Sequence, residues 1–560
     1  MEKRRPLNTI LSLSALLLAG LVVFLHIHLV KVRDNANPYN FSALNVAEDI
    51  KIISKKPHSI EHPEERKVVR EYLAYRLRQS GGDVRIFEYD SIESELGGFF
   101  DIANIYACFD PPTVTDSTKY LLLVAHYDSR FRQRVLSDTV FSYGAADDGY
   151  GIGVALELVR VADNYRNLWK QGVKILFTDA EEHQMDGMAN MIAHDSLLLK
   201  GVNLAINIEA RGVRGPALLF ETSGGNGKLI DFYRNAAKPY GYSLTSLVYG
   251  ILPNDTDFSL IKDRIPGYNF AVVDNLKFYH TDKDCYANIS LESIQHYGEQ
   301  INPLVKSYLI GAAYGSCRSF VSESDKIFFT VPLLGLFAFS KAEYVILNLS
   351  VLAFAVLIFI LLLKRTSVSG PGMVRHAGMF LLAMFLLLVA GELAACLVSL
   401  AMGEPLGFMS LKYFKYDNLL FIGSHALLSL LYLAYLKKKS VDPLEVIAAH
   451  MLLLALFSFV AGAAFLENFI YLMPLAAVSL AMLVNIRFGQ AGKILLSVAL
   501  FVTALAGISF FYLLYVTVTV GMLGVLLFLS APCAGLIIGI IFLSLHPHFH
   551  SGSYGYKSVR

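Results

Sequence analysis

Seven long apolar runs occupy residues 344–363, 376–402, 418–436, 445–465, 468–486, 494–515 and 518–544. Nothing else in the chain restricts its fold as severely. A run of about 20 apolar residues matches the hydrocarbon thickness of a bilayer. Inside hydrocarbon every backbone N–H and C=O must be satisfied within the protein, which leaves such segments the α-helix. An eighth run, 9–30, contains no Asp, Glu, Lys or Arg and follows Lys3, Arg4 and Arg5. No small-residue cleavage signature closes it, so an uncleaved signal anchor is expected. The stretch 327–339 is apolar but short, and reads as an interfacial segment. The apolar excess, 54% of all residues, sits in these runs, whereas 32–325 is mixed and polar. The expected division is an anchor over 1–31, a soluble domain over 32–325, a multispan domain over 326–545 and a tail over 546–560.

Positive charge sets the orientation of membrane helices. With the N-terminus in the cytoplasm, Lys364, Arg365, Arg375, Lys437, Lys438, Lys439, Arg487 and Lys493 all fall on the cytoplasmic side. So do Lys557 and Arg560 of the tail, while Lys412 and Lys415 fall outside. Eight spans agree with this distribution and an odd number does not. Residues 32–325 are then extracytoplasmic: periplasmic in a Gram-negative bacterium, lumenal (endoplasmic reticulum or vacuole) in a eukaryote. The lipid bilayer is one expected partner. A formal net charge of +1 gives no basis for a nucleic-acid partner. Glu392, His425 and His450 lie within spans and read first as helix–helix hydrogen-bonding groups. The five Cys form no C-x-x-C pair, which argues against a thiolate zinc site.

The soluble region alternates strand and helix patterns. Strands are expected over 83–89, 102–107, 120–125, 173–178, 202–208, 217–221 and 267–273. Helices are expected over 63–79, 151–161, 185–194, 226–240 and 291–311. That alternation predicts an α/β sheet flanked by helices, with sites beyond the carboxyl ends of the strands.

Chemistry-bearing residues gather at those ends. His126 and Asp128 follow one strand, Asp147 sits in a turn before a helix, Glu181 and Glu182 follow another strand, and Glu209 and His280 end later stretches. Two His and three acids, with one carboxylate left over as a base, make the inventory of a two-zinc hydrolase. His126 is the first candidate ligand, and Asp128 is placed to hold its other ring nitrogen. Asp147 is the candidate bridge, Glu182 and Glu209 supply one carboxylate per metal, and His280 completes the set. Glu181 is left to move a proton. Alone, a Glu pair is usually a solvated helix start and Asp-Asp-Gly usually a turn. Their conjunction in order across one domain points to a metal site.

The blocks HYDS (126–129), GAADDGYG (144–151), DAEEHQMDG (179–187), NIEARG (207–212), NDTDF (254–258) and YHTDKD (279–284) resemble the motifs of the zinc aminopeptidases of peptidase family 28, clan MH. The resemblance covers roughly residues 45–315. The anchor, ectodomain and multispan layout is similar to the endoplasmic reticulum metallopeptidases and to bacterial and vacuolar membrane relatives. The resemblance implies a mixed, mostly parallel sheet of the zinc-exopeptidase type. It implies two Zn2+ per chain, His126 and Glu209 on one, Glu182 and His280 on the other, and Asp147 bridging. It makes Glu181 the general base and acid and Asp128 the residue orienting His126. The implied substrate is a peptide or protein N-terminus, with Arg211, Asp257 and Tyr279 as polar candidates to hold it. Asp148 and Tyr150 stand where Asn and Ser are more usual, and Met188 where Ser is common; these departures are expected to alter the substrate pocket. Two rivals stand beside this reading. One is a glutaminyl cyclase-type acyl transferase on the same fold, though Tyr279 stands where animal cyclases carry Trp. The other is a non-catalytic receptor or scaffold.

Overall fold

The first helix, α1 (Arg5–His28), is apolar along its length. The computed structural model describes residues 5–545 except 29, 35–36, 95, 136–137, 252–253, 404–415 and 489. They form two compact units: residues 27–330 with 334–340, and residues 1–26, 331–333 and 341–560.

In the first unit, α2 (Ala43–Ile53) and α3 (Pro63–Gln79) precede β1 (Asp83–Glu93), β2 (Phe99–Phe109) and β3 (Tyr120–His126). Helix α3 carries Pro63 at its start, Glu64 and Glu65 in the first turn, and Arg76 and Arg78 in the last. That charge order opposes the helix dipole at both ends. A small ribbon, β4 (Gln133–Val135) and β5 (Asp138–Val140), leads to α4 (Gly149–Asp163). Then come β6 (Gly172–Thr178), α5 (Glu181–Gln184), α6 (Asp186–His194), β7 (Val202–Ala210) and β8 (Leu218–Thr222). The chain continues through α7 (Gly227–Tyr233), α8 (Ser243–Tyr249), α9 (Asp257–Ile261), β9 (Gly267–Val272) and α10 (Leu291–Ile310). It ends in the hairpin β10 (Lys326–Val331) and β11 (Gly335–Ser340).

The seven-stranded sheet runs β1-β2-β6-β3-β7-β9-β8. The inner strands β6, β3, β7 and β9 are parallel, and antiparallel pairs close both edges. This is the expected mixed, mostly parallel α/β sheet. Both faces are covered, which explains the continuous apolar runs. Leu121, Leu123 and Ala125 of β3 face a core shared with α2, α4 and α10. Leu122 and Val124 face a second core with Met188, Met191, Phe258 and Ile261.

Several elements differ from expectation. The helix expected over 226–240 stops at Tyr233, because Gly241 returns to the sheet edge opposite Leu219 and Pro239 cannot supply a helical N–H. The helix expected from 185 begins at Asp186; Met185 is left-handed (φ 58°) and joins it to the separate turn α5. Helices α2, α8 and α9 were not expected. The stretch 327–339, expected as a short apolar interfacial segment, forms the β-hairpin β10–β11. Phe329 stacks on Phe337 and Phe339 at 5.9 and 6.2 Å, and residues 326–330 and 334–340 group with the α/β unit. Hydropathy alone missed the turn, where Leu333 and Gly335 take positive φ.

The helical unit adds α11 (Lys341–Arg365), α12 (Gly370–Met402), α13 (Asp417–Lys438), α14 (Pro443–Ala464), α15 (Phe469–Phe488), α16 (Gln490–Val518) and α17 (Leu523–Leu545). With α1, eight helices among the described residues are long and apolar enough to cross a membrane. The ionisable groups in them bond between helices. His425 Nε2 meets Ser530 Oγ at 2.8 Å, Tyr432 Oη meets His450 Nε2 at 2.9 Å, and the Val525 N–H donates to Glu392 at 3.2 Å. Lys412, Lys415 and the tail lie outside the described residues.

Candidate metal centre

The carboxyl ends of β3, β6 and β7 converge at the middle of the sheet. His126 ends β3 and is fully buried. Its Nδ1 lies 2.9 Å from the backbone carbonyl of Asp128, so that nitrogen carries the proton and Nε2 is left for a ligand role. Nε2 faces Asp147 Oδ1 at 3.2 Å and Glu209 Oε2 at 3.6 Å. On the other side, His280 Nε2 faces Asp147 Oδ2 at 3.3 Å and Glu182 Oε2 at 3.1 Å. Two ligand groups result, His126–Asp147–Glu209 and Asp147–Glu182–His280. Asp147 presents one oxygen to each.

The fold holds these groups from below. The carboxylate of Asp284 accepts from the Ala146 N–H (2.7 Å), the Asp147 N–H (3.3 Å) and Ser142 Oγ (3.0 Å), which fixes the loop carrying Asp147. Asp148 caps α4 through the Gly151 N–H (2.9 Å) and accepts from the His126 N–H (3.3 Å). Asn207 donates to Glu209 at 3.1 Å. Tyr279 stacks on the His280 ring at 3.6 Å.

Asp128 has a second task besides the one expected of its side chain, whose Oδ1 lies 3.4 Å from His126 Nδ1. Its carboxylate accepts from the Glu181 and Glu182 N–H groups at 3.0 and 3.3 Å. It therefore anchors the first turn of α5, and its carbonyl orients His126. Ala180, left-handed at φ 53°, sets the turn out of β6 that exposes this pair.

The electrostatics suit a divalent cation. Burial raises Glu181 well above the ordinary carboxylate range, and the neighbouring Glu209, Glu182 and Asp257 add to it against the pull of His126. Burial opposed by His126 leaves Glu209 at about 8, and burial moves Asp257 to about 7. Glu182 goes the other way: burial is outweighed by His280 and by Arg130, and its carboxyl is depressed. Asp147 Oδ2, Glu182 Oε1 and His280 Nε2 are buried and, among the described residues, make no well-aligned hydrogen bond. Buried polar atoms normally have partners. Three such atoms converging between two imidazoles and three acids fit Zn2+, which takes nitrogen and carboxylate oxygen ligands.

Of the substrate candidates, Arg211 and Tyr279 are electrostatic neighbours on one side of the centre, with Tyr249 beside Arg211. Asp257 is 1% exposed and accepts from Thr178 Oγ1 at 2.5 Å, which puts it behind the carboxylates. The departures at Tyr150 and Met188 do not shape a pocket. Both are fully buried: Tyr150 links Val213 to Ser290, and Met188 packs with Leu122 and Phe258.

Three residues escaped the sequence reading. Arg130 donates to the Glu182 carbonyl (2.5 Å) and carboxylate (3.2 Å) while lying over the Phe131 ring. Its signal was adjacency to the HYDS block. Asp284 ends the YHTDKD block. Tyr249 of α8 has a buried hydroxyl with no hydrogen-bond partner among the described residues, within the fields of Glu221, Glu209 and Glu181. No local pattern marks it.

The model of peptidase family M28 matches residues 104–305, which hold all five ligand candidates and Glu181. This segment is a peptidase family M28 domain. The chain is 31% identical over 333 residues to rat endoplasmic reticulum metallopeptidase 1, covering 57% of this chain and 35% of that protein. It is 28% identical over 377 residues to the putative endoplasmic reticulum metallopeptidase 1 of Schizosaccharomyces pombe, covering 61% and 44%. It thus spans less than half the length of these curated relatives. A solved Zn-dependent exopeptidase from Parabacteroides distasonis is similar at 21% identity over 48% of this chain and 98% of that one, with a TM-score of 0.38.

Proposed function

We propose that this chain is a membrane-bound dinuclear zinc aminopeptidase that removes N-terminal residues from peptides on the extracytoplasmic face. The observation that carries the reading is the orientation of Asp147, one carboxylate oxygen toward each of two His-acid groups. His126 and Glu209 would hold one zinc, Glu182 and His280 the other, and Asp147 both. Zinc, when bound, supplies Lewis acidity to water and to the scissile carbonyl.

The remaining work falls to the chain's own side chains. Glu181 takes the proton of the attacking water on its carboxylate as the new C–O bond forms. It returns that proton to the leaving amine nitrogen as the C–N bond breaks. Burial raises its affinity for the proton, which favours the first half of the transfer. The Tyr249 hydroxyl, buried and without a hydrogen-bond partner among the described residues, would donate to the developing oxyanion. A free α-amino group is attracted by the same surplus of carboxylates, which favours exopeptidase action. Peptide N-termini and the bilayer are the partners, with no nucleic acid.

The test uses the full chain in detergent, loaded with zinc, on a peptide library with varied N-termini. Sequential release of N-terminal residues with two zinc ions per chain is expected, and Glu181→Gln should abolish release while retaining metal. Full hydrolysis by metal-replete Glu181→Gln would overturn the assignment. One zinc with pyroglutamate formation from glutaminyl peptides would assign the cyclase chemistry instead. Insensitivity of function to Glu182→Ala and to chelators would assign a non-catalytic role.

A further inference from the structure

We propose that the end of the helical unit built by α1, α16 and α17 binds the phosphate of an anionic phospholipid. A cavity of about 20 Å³ opens there, lined by Asn8, Ser12, Lys493, Leu496, Leu543 and Ser544. That volume admits one or two oxygen atoms. Its walls are held by hydrogen bonds between the three helices: Thr9 Oγ1 donates to the Ser544 carbonyl at 3.1 Å, and the Ser12 and Ser497 hydroxyls meet at 3.2 Å.

Lys493 supplies the charge. It lies in the first turn of α16 and is half-buried, and among the described residues no carboxylate pairs with it. A desolvated cation without a counter-ion is costly in a bilayer helix, and an anion relieves that cost. Asn8 and Ser12 add neutral donors of the kind that phosphate oxygens accept from. Arg487, at the end of the preceding helix α15, makes the local field positive.

The surroundings decide between a lipid and a free anion. Leu7, Ile494, Val498 and Leu545 flank this end of the unit and are exposed. A free phosphate has no use for such a flank, whereas two acyl chains cover it. Basic pockets between membrane helices bind anionic headgroups in this way.

The experiment takes the full chain in detergent, adds phosphatidylglycerol or phosphatidylcholine, and counts retained lipid by native mass spectrometry. One phosphatidylglycerol is expected to be retained about fivefold better than phosphatidylcholine, the scale of one lysine near a membrane surface. Lys493→Gln should abolish that preference, while Lys438→Gln, at the end of α13, should leave it intact. Asn8→Leu, which spares the charge, should weaken the preference and decides the matter if Lys493→Gln does not fold. Unchanged preference in a folded Lys493→Gln, or in Asn8→Leu if it alone folds, overturns the proposal. Equal loss in Lys438→Gln reassigns the effect to a diffuse basic belt and overturns it too. Complete displacement of the lipid by inorganic phosphate would make this a free-anion site and overturn the lipid assignment.

Discussion

Asp284→Asn tests how the loop carrying Asp147 is held. In the wild type one carboxylate oxygen accepts from the Ala146 N–H at 2.7 Å, and the other from the Asp147 N–H at 3.3 Å and Ser142 Oγ at 3.0 Å. Asparagine keeps one acceptor and turns the other into a donor. Ser142 can rotate and accept from the new NH2, but a backbone N–H cannot reverse. In either amide orientation one backbone donor, Ala146 or Asp147, is left facing a donor in a buried site. Such an orphan costs about 1–3 kcal/mol. The variant should unfold at lower denaturant by that amount in the metal-free state. Groups that orient a ligand typically affect metal affinity by about 10–100-fold, so zinc competition against a chromophoric chelator should show a loss of that order. An unfolding midpoint equal to wild type together with zinc affinity within about threefold, well below the range expected for an orienting group, would refute the argument.

Other perturbations separate neighbouring effects. His58 is buried, and burial lowers its pKa to about 4 despite the Lys56 carbonyl. The unfolded chain therefore takes up a proton near pH 6.5 that the folded chain refuses until about 4. Stability should fall as pH drops through that window, by up to about 3 kcal/mol by linkage, and His58→Gln should flatten the profile; equal slopes in urea titrations would sink the idea. Arg66→Met strips Asp179 of its buried partner at 3.2 Å. A loss of about 3–5 kcal/mol is expected by chemical denaturation, and a loss below about 1 kcal/mol, the range of an exposed pair, would show that the pair is not what holds Asp179. Tyr249→Phe should lower kcat by about 100–1,000-fold with zinc content unchanged, whereas a change confined to KM would make the hydroxyl a ground-state contact.

The sequence displayed the centre of this molecule better than its margins. Strands buried on both faces, such as β3 and β6, leave unbroken apolar runs, and the site residues sit where those runs stop. His126, Glu182 and Glu209 were legible because each lies at or within a few residues of a strand end, and Asp147 because it precedes the helix α4. The place of Asp128 beside His126 was legible, but its hold on two backbone N–H groups of α5 was not, since no sequence pattern records them. Tyr249 was illegible because its relation to the centre depends on the path of α8, a helix with no periodic signal. The hairpin at 326–340 misled for a related reason. Its apolar residues suit a bilayer surface and a sheet equally, and only the turn at Leu333 and Gly335 distinguishes them.

The single carboxylate of Asp128 grips two consecutive amides, and this has a consequence for how the centre can vary. Glu181 and Glu182 have separate chemical duties but share one mechanical support. A shift at Asp128 moves both by similar amounts, so proton transfer and metal retention cannot be tuned independently through that residue. Variants at position 128 should therefore fall along one line when activity is plotted against zinc affinity. Variants at 181 or 182 themselves should scatter off it.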